Sequence, residues 1–323
     1  MGTFEKVQIR LDSGDIAEAV APEILSVSRR TDIPAFYADW FFNRLSRGRT
    51  GYVDTVNPFN QQKQHVSFQN VKFIVFWSKN PKPMLKYMGM LNKLGIDWYL
   101  QYTLNDYPTL YEPNVPEIKD RIALFKSISN LFGRDRVIWR YDPIFNIEGY
   151  WGIEQHISNI ANILDEIGNY TDKLVFSFAD IERYKKVSVN LKNSGAEEMT
   201  FGEQYLFAAR LRRMLEDKKA STIKVATCSE DVDFSTYGIE HNACIDAKLI
   251  SQLSKNEEFS KRMADASKDK GQRRSCLCTN AKDIGVYNTC AHGCKYCYAN
   301  LTPESAKLNF ERLQMDTNKN CLI

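Results

Sequence analysis

Three cysteines near the C-terminal end of the chain, Cys290, Cys294 and Cys297, stand in the spacing Cys-x3-Cys-x2-Cys, directly after a short stretch, Asp283 to Val286, that reads as a strand. Thiolates at those separations can bend round one face of an iron–sulfur cubane and leave its fourth iron without a protein ligand. An iron left open in this way can bind a chelating molecule. Four further cysteines raise a second question. Cys228 closes an apolar run, Cys244 follows in the segment Tyr237 to Cys244, and Cys276 and Cys278 form a Cys-x-Cys pair upstream of the last strand. Four thiolates brought together from such loops could hold an auxiliary cluster or a tetrahedral zinc ion. The cluster is preferred, because the neighbouring motif already implies cluster assembly, and Cys-x-Cys adds little for zinc. His241 and His292 are further ligand candidates, although a solvated or structural histidine is the simpler account of each.

Cysteine usage also bears on the compartment. The N-terminus, Met-Gly-Thr-Phe-Glu-Lys-Val-Gln-Ile-Arg, lacks an apolar stretch behind a basic start, and no window approaches the roughly 18 apolar residues of a membrane span. A cytoplasmic protein without membrane association is expected, and there the 8 cysteines point to metal ligands or reactive thiols rather than disulfides. Lys and Arg number 43 against 40 Asp and Glu, a formal charge of +3 that is too small to announce nucleic acid. With 323 residues, 43% of them hydrophobic, the chain can bury one large core. One domain is expected over residues 1–311, with a cysteine-rich end at 276–300 and a loose tail at 312–323 in which Cys321 is incidental.

The elements that must position these residues alternate. Apolar runs that read as buried parallel strands are Ile24 to Ser28, Phe73 to Trp77, Trp98 to Thr103, Val137 to Tyr141, Leu174 to Phe178 and Ile223 to Thr227, with weaker candidates at Gly51 to Val56 and Asp283 to Val286. Between them Pro34–Ser46, Pro83–Leu94, Pro116–Leu131, Ile153–Gly168 and Gly202–Glu216 carry apolar residues at helical spacing. About eight strand-and-helix units in this length predict a parallel (β/α)8 barrel of the TIM type, with an open doubly wound sheet as the alternative. Strand ends are rich in polar groups, which in parallel α/β folds collect at one mouth. Ser254 to Arg274, densely charged with both signs, reads as a solvated helix and loop.

Four cations follow or lie within these strands. Arg29, Arg30, Lys79 and Arg140 could grip a carboxylate or an anionic substrate, or could simply pair with carboxylates such as Asp32 and Asp142. Trp77, Trp98, Trp139, Tyr99, Tyr102 and Tyr141 fall inside strands and are expected in the core rather than as stacking platforms for bases.

The motif Cys290-Ala291-His292-Gly293-Cys294-Lys295-Tyr296-Cys297 resembles that of the radical S-adenosylmethionine (SAM) superfamily, Cys-x3-Cys-x-aromatic-Cys, with Tyr296 in the aromatic position. The resemblance implies a [4Fe–4S] cluster on Cys290, Cys294 and Cys297, SAM chelated by the open iron, reductive cleavage of its sulfonium, and hydrogen abstraction from a substrate. It also implies an electron donor such as flavodoxin or ferredoxin, and a parallel barrel with the cluster at the C-terminal mouth. In the usual members the motif follows the first strand, whereas here it follows the last, so a circularly permuted barrel is expected. Tyr296-Cys297-Tyr298 is similar to the motif ending of spore photoproduct lyase, a DNA-repair member. Ser28 to Pro34, Trp77 to Pro81, Trp139 to Pro143 and Cys276 to Asn300 together resemble an uncharacterised bacterial family, a domain of unknown function with a cysteine-rich C-terminal end. The competing expectation is a structural zinc protein that presents basic residues to nucleic acid.

Overall fold

The structure, a computed structural model, describes residues 4–57, 60–220, 222–273, 275–314 and 318–323. Its main sheet has eight strands: Ile24–Val27 (β1), Phe73–Ser78 (β2), Asp97–Thr103 (β3), Val137–Ile144 (β4), Lys173–Phe178 (β5), Lys224–Thr227 (β6), Ile239–His241 (β7) and Lys282–Asp283 (β8). Every pairing in it is parallel. The order across the sheet is β7-β6-β5-β4-β3-β2-β1-β8, so the last strand lies beside the first, with Asp283 opposite Ser26. β7 and β8 are the two edges and do not pair with each other. The expected strand-and-helix alternation is present around a large parallel sheet, and among the described residues no pairing closes that sheet into a TIM-type barrel.

Burial on both faces explains the nearly continuous apolar strands. On one face Leu25, Val27, Ile74, Phe76, Leu100, Trp139 and Phe176 meet the apolar stripes of five helices, which fall in the five expected spans. These are Ala38–Leu45 (α1), Met88–Leu94 (α2), Ile118–Phe132 (α3), Ile153–Ile167 (α4) and Phe201–Asp217 (α5). The start of α5 is set by a capping box in which the Thr200 side chain accepts from the Glu203 backbone and Glu203 reaches back to Thr200.

The other face, inner to the twist, presents Ile24, Phe73, Val75, Tyr99, Ile138 and Val175. It is covered by the stretch between the edge strands, which contributes Ile250 and Leu253 from Ala247–Leu253 (α6) and Phe259 from Glu257–Ala264 (α7), together with Ile245, Cys244, Cys276 and Cys278. That stretch buries the inner apolar surface without a β7–β8 pairing, which removes the hydrophobic reason for closure. The charged segment Ser254 to Arg274 is therefore not wholly solvated: Phe259 is buried while its charged neighbours stay exposed.

Two other expectations shift. The run Gly51 to Val56 is a strand, Tyr52–Val56, but belongs to a separate four-stranded sheet with Lys6–Arg10, Ile16–Val20 and Lys63–Ser67, where it pairs antiparallel with the last of these. Its place in the main sheet is taken by β7, too short to show a pattern. Of the expected tail, residues 319–322 are held against the rest of the chain. Cys321 and Leu322 are buried in the main core, the Trp40 indole donates to the Lys319 carbonyl at 2.7 Å, and the Asp54 amide donates to Asn320 at 2.6 Å. Among the described residues no helix is long and apolar enough to cross a membrane.

Candidate metal centre

Because all eight strands run the same way, the residues that follow them gather along one edge of the sheet. β8 ends on Asp283, and the chain passes through Gly285 into the loop that carries Cys290, Cys294 and Cys297. The Asp283 carboxylate ties this strand end to β1. Its Oδ2 accepts from Ser26 Oγ at 2.6 Å and the Arg29 amide at 2.9 Å, and its Oδ1 accepts from Ser28 Oγ at 2.8 Å and the Gly285 amide at 3.0 Å. Burial pushes this carboxyl up, but Arg29, Arg30 and the hydrogen bonds outweigh burial and hold it below the usual carboxylate range. Gly285 is dictated by the close approach, since a Cβ there would stand 1.9 Å from Ser28 Oγ.

A second carboxylate, Asp32, secures the middle of the loop. Its Oδ2 lies 2.8 Å from His292 Nε2 and accepts from the Lys79 amide at 2.8 Å, while Oδ1 accepts from Ser78 Oγ at 2.7 Å and caps the turn Ile33–Phe36. His292 Nδ1 faces the Asn114 carbonyl at 3.3 Å, so this histidine braces the loop between two elements. Tyr296 donates its hydroxyl to Glu112 Oε1, which also receives Lys79 Nζ at 2.8 Å, and Glu112 Oε2 is buried without a partner. Tyr37 donates to the Thr289 carbonyl at 2.5 Å, Tyr298 to the Arg29 carbonyl at 2.9 Å and Asn300 Nδ2 to the Cys290 carbonyl at 2.8 Å.

The three thiols of the motif are free of disulfides. Burial pushes Cys290 up to about 12, and the neighbouring Cys297 and Asp32 add to it. Burial also raises Cys294 and Cys297, with Lys79 opposing in both. The thiols therefore keep their protons at neutral pH, and a thiophilic metal would have to displace them.

The other four cysteines lie on the inner face, Cys244, Cys276 and Cys278 buried in its apolar cluster and Cys228 packed against it, with Cys228 Sγ and Cys244 Sγ 3.0 Å apart. Donors converge on the sulfurs: Arg140 Nη1 at 3.1 Å and Asn242 Nδ2 at 3.3 Å from Cys244 Sγ, and the Ile245 amide at 3.3 Å from Cys278 Sγ. Hydrogen bonds from the Cys228 and Cys278 thiols, followed by Arg140, draw Cys244 well below the usual thiol range. As they stand, no three Cys, His, Asp or Glu side chains among the described residues converge as a ready-made ion site. The donor chemistry of the two sets is nonetheless that of thiolate-bound metals, with seven free cysteines drawn from four stretches of chain.

Three of the four cations expected at a mouth are paired with carboxylates. Arg140 is paired with Asp142, Lys79 with Glu112 at 2.8 Å, and Arg29 with Asp283 at 3.6 Å. Arg30 makes no ion pair among the described residues; its guanidinium lies 5.4 Å from the Tyr287 ring centroid and 3.4 Å from the Gly285 carbonyl. His241 lies in β7, with Nδ1 buried and without a hydrogen-bond partner. Glu112 and Asp32 as braces of the cysteine loop escaped sequence reasoning in these roles. Their only signal was a position just after a strand, and nothing local says that residues near 32 and 112 meet residue 292 or 296.

The model of a family described as Domain of unknown function (DUF1848) matches residues 24–299, from β1 through the cysteine loop. No curated protein and no solved structure matches the chain.

Proposed function

We propose that this chain, which belongs to the DUF1848 family, is an iron–sulfur enzyme of radical SAM type whose cluster is held by Cys290, Cys294 and Cys297. The observation that carries the reading is the place of the cysteine loop. It leaves the C-terminal end of an edge strand, β8, and from that edge the parallel sheet runs β8, β1, β2 and on to β7. That is the strand order of a barrel whose first strand, the one bearing the motif, has been moved to the end of the chain. The inner face and the collection of polar groups along one edge fit a barrel-like chamber left open between β7 and β8.

When bound, the cluster supplies the electron that cleaves the SAM sulfonium, received in turn from a carrier such as a flavodoxin or ferredoxin. The chain's own residues do the rest by holding shape. Asp283 keeps β8 against β1 at the root of the loop, and Asp32 with His292 fixes the turn between Cys290 and Cys294. Glu112 holds Tyr296 and Lys79 beside Cys294, and Lys79 eases the deprotonation that ligation requires. Arg29, Lys79 and Arg140 are engaged by carboxylates, which leaves Arg30 as the cation best placed to meet the carboxylate of SAM or an anionic substrate.

Anaerobic reconstitution with iron and sulfide, followed by electron paramagnetic resonance of the reduced protein, tests this reading. The wild type should show a reduced [4Fe–4S] signal that changes on adding SAM, and Cys294→Ala should lose it. A protein that takes up no iron, or whose signal is the same in Cys294→Ala, would sink the proposal.

A further inference from the structure

We propose that Cys228, Cys244, Cys276 and Cys278 hold a second metal centre, a single thiophilic ion of the zinc type in a tetrathiolate cage on the inner face of the sheet. This site does not rest on the radical SAM reading, because it shares no ligand with the Cys290–Cys297 loop.

The first argument is convergence. Cys228 follows β6, Cys244 follows β7, and Cys276 and Cys278 precede β8, yet all four lie within or against one buried face that is otherwise apolar, with the Cys228 and Cys244 sulfurs 3.0 Å apart. Chance burial of cysteines would scatter them among the aliphatic side chains of that face. The second argument is the set of donors around the sulfurs. Arg140 Nη1 and Asn242 Nδ2 point at Cys244, and the Ile245 amide points at Cys278. Such groups outside the ligand shell orient thiolates and offset their charge, and they have little reason to face neutral thiols. Arg140 is itself buried, as is its carboxylate-free neighbour Gln101, whose side chain accepts from Nη1 at 3.3 Å.

The close approach of Cys228 and Cys244 favours one ion over a cluster. Sulfurs bound to one zinc at about 2.3 Å stand roughly 3.8 Å apart in a tetrahedron. Cys228 and Cys244 are 3.0 Å apart, so a small opening of this pair suits a shared ion. A cubane would require each thiolate to reach a different iron and this pair to spread much further. Binding is balanced without redox chemistry: the divalent ion forms four metal–sulfur bonds, and each of the four thiols that still carries a proton releases it to solvent. Zinc is therefore preferred in this proposal to the auxiliary cluster expected from the sequence.

The test uses the full-length Cys290→Ala/Cys294→Ala/Cys297→Ala variant, in which the motif cannot contribute. Elemental analysis should find about one zinc per chain. Exchange into cobalt(II) should produce thiolate-to-cobalt charge-transfer absorption and the visible bands of a tetrahedral site, and adding Cys244→Ser should abolish both. If that last variant fails to fold, stoichiometric release of zinc by a mercurial reagent from the triple variant provides the same readout. A metal-free triple variant, a Cys228–Cys244 disulfide found by mass spectrometry, or iron and sulfide in place of zinc would each overturn the assignment. Loss of the SAM-responsive signal in the wild type would overturn the radical reading alone.

Discussion

At the scale of single residues, His156 shows how burial writes a pH dependence into this fold. It lies on α4, fully buried, with Nε2 2.9 Å from the Phe145 carbonyl and Nδ1 3.1 Å from the Tyr141 hydroxyl. Nε2 must carry the proton it donates to the carbonyl, so the neutral ring satisfies both contacts. Burial draws its pKa from the ordinary 6.5 down to about 4. Between those values the unfolded chain binds the proton and the folded chain does not. The stability is therefore complete above pH 6.5 and is lost as the pH falls toward 4, by about 2 kcal/mol at pH 4.5. Urea unfolding at pH 7 and pH 4.5 should show a drop larger by about that amount in the wild type than in His156→Gln. Equal drops would remove the histidine from the account.

At the scale of elements, β8 depends on a contact that no strand propensity describes. It has only two residues, Lys282 and Asp283, and is held by the four bonds to the Asp283 carboxylate and by the close approach at Gly285. Gly285→Ala would drive a methyl group into Ser28, whose Oγ is engaged by Asp283 and the Arg30 amide and cannot simply turn away. The expected cost is about 1–3 kcal/mol, with β8 displaced from β1. Because the cysteine loop hangs from β8, reconstituted iron should fall together with the urea midpoint. Wild-type iron content in a clearly destabilised variant would uncouple the loop from the strand. The helices illustrate the opposite case: Phe201–Asp217 was legible from its period, and the Thr200–Glu203 contacts that start it lie within three residues.

At the scale of the whole molecule, the last residues close the core that the first helix and the small sheet begin. Leu322 is fully buried in the cluster that contains Phe41, Val53 and Val66, and the neighbouring backbone receives the Trp40 indole and the Asp54 amide. Leu322→Ala should therefore cost about 2–5 kcal/mol, a core value rather than a tail value. A change within about 0.5 kcal/mol in thermal or urea unfolding would mean that the end of the chain does not contribute to the core.

What the sequence by itself determined is local: the five helices packed on the outer face, the apolar strands that form most of the sheet, and the Cys-x3-Cys-x2-Cys spacing, each a repeat or motif within one short stretch of chain. The tertiary structure alone decided what depends on distant segments meeting. Strand Tyr52–Val56 left for the second sheet because its hydrogen-bonding partner, Lys63–Ser67, is there, and Ile239–His241 became a strand because an unpaired edge of β6 was available to it. Open rather than closed architecture followed from the segment that fills the inner face. Glu112 and Asp32 acquired their roles across 184 and 260 residues, and the four inner cysteines came onto one face only when β6, β7 and the approach to β8 met. Spacing along a chain constrains contacts a few residues apart; burial and hydrogen bonding between distant segments are settled only when the chain packs.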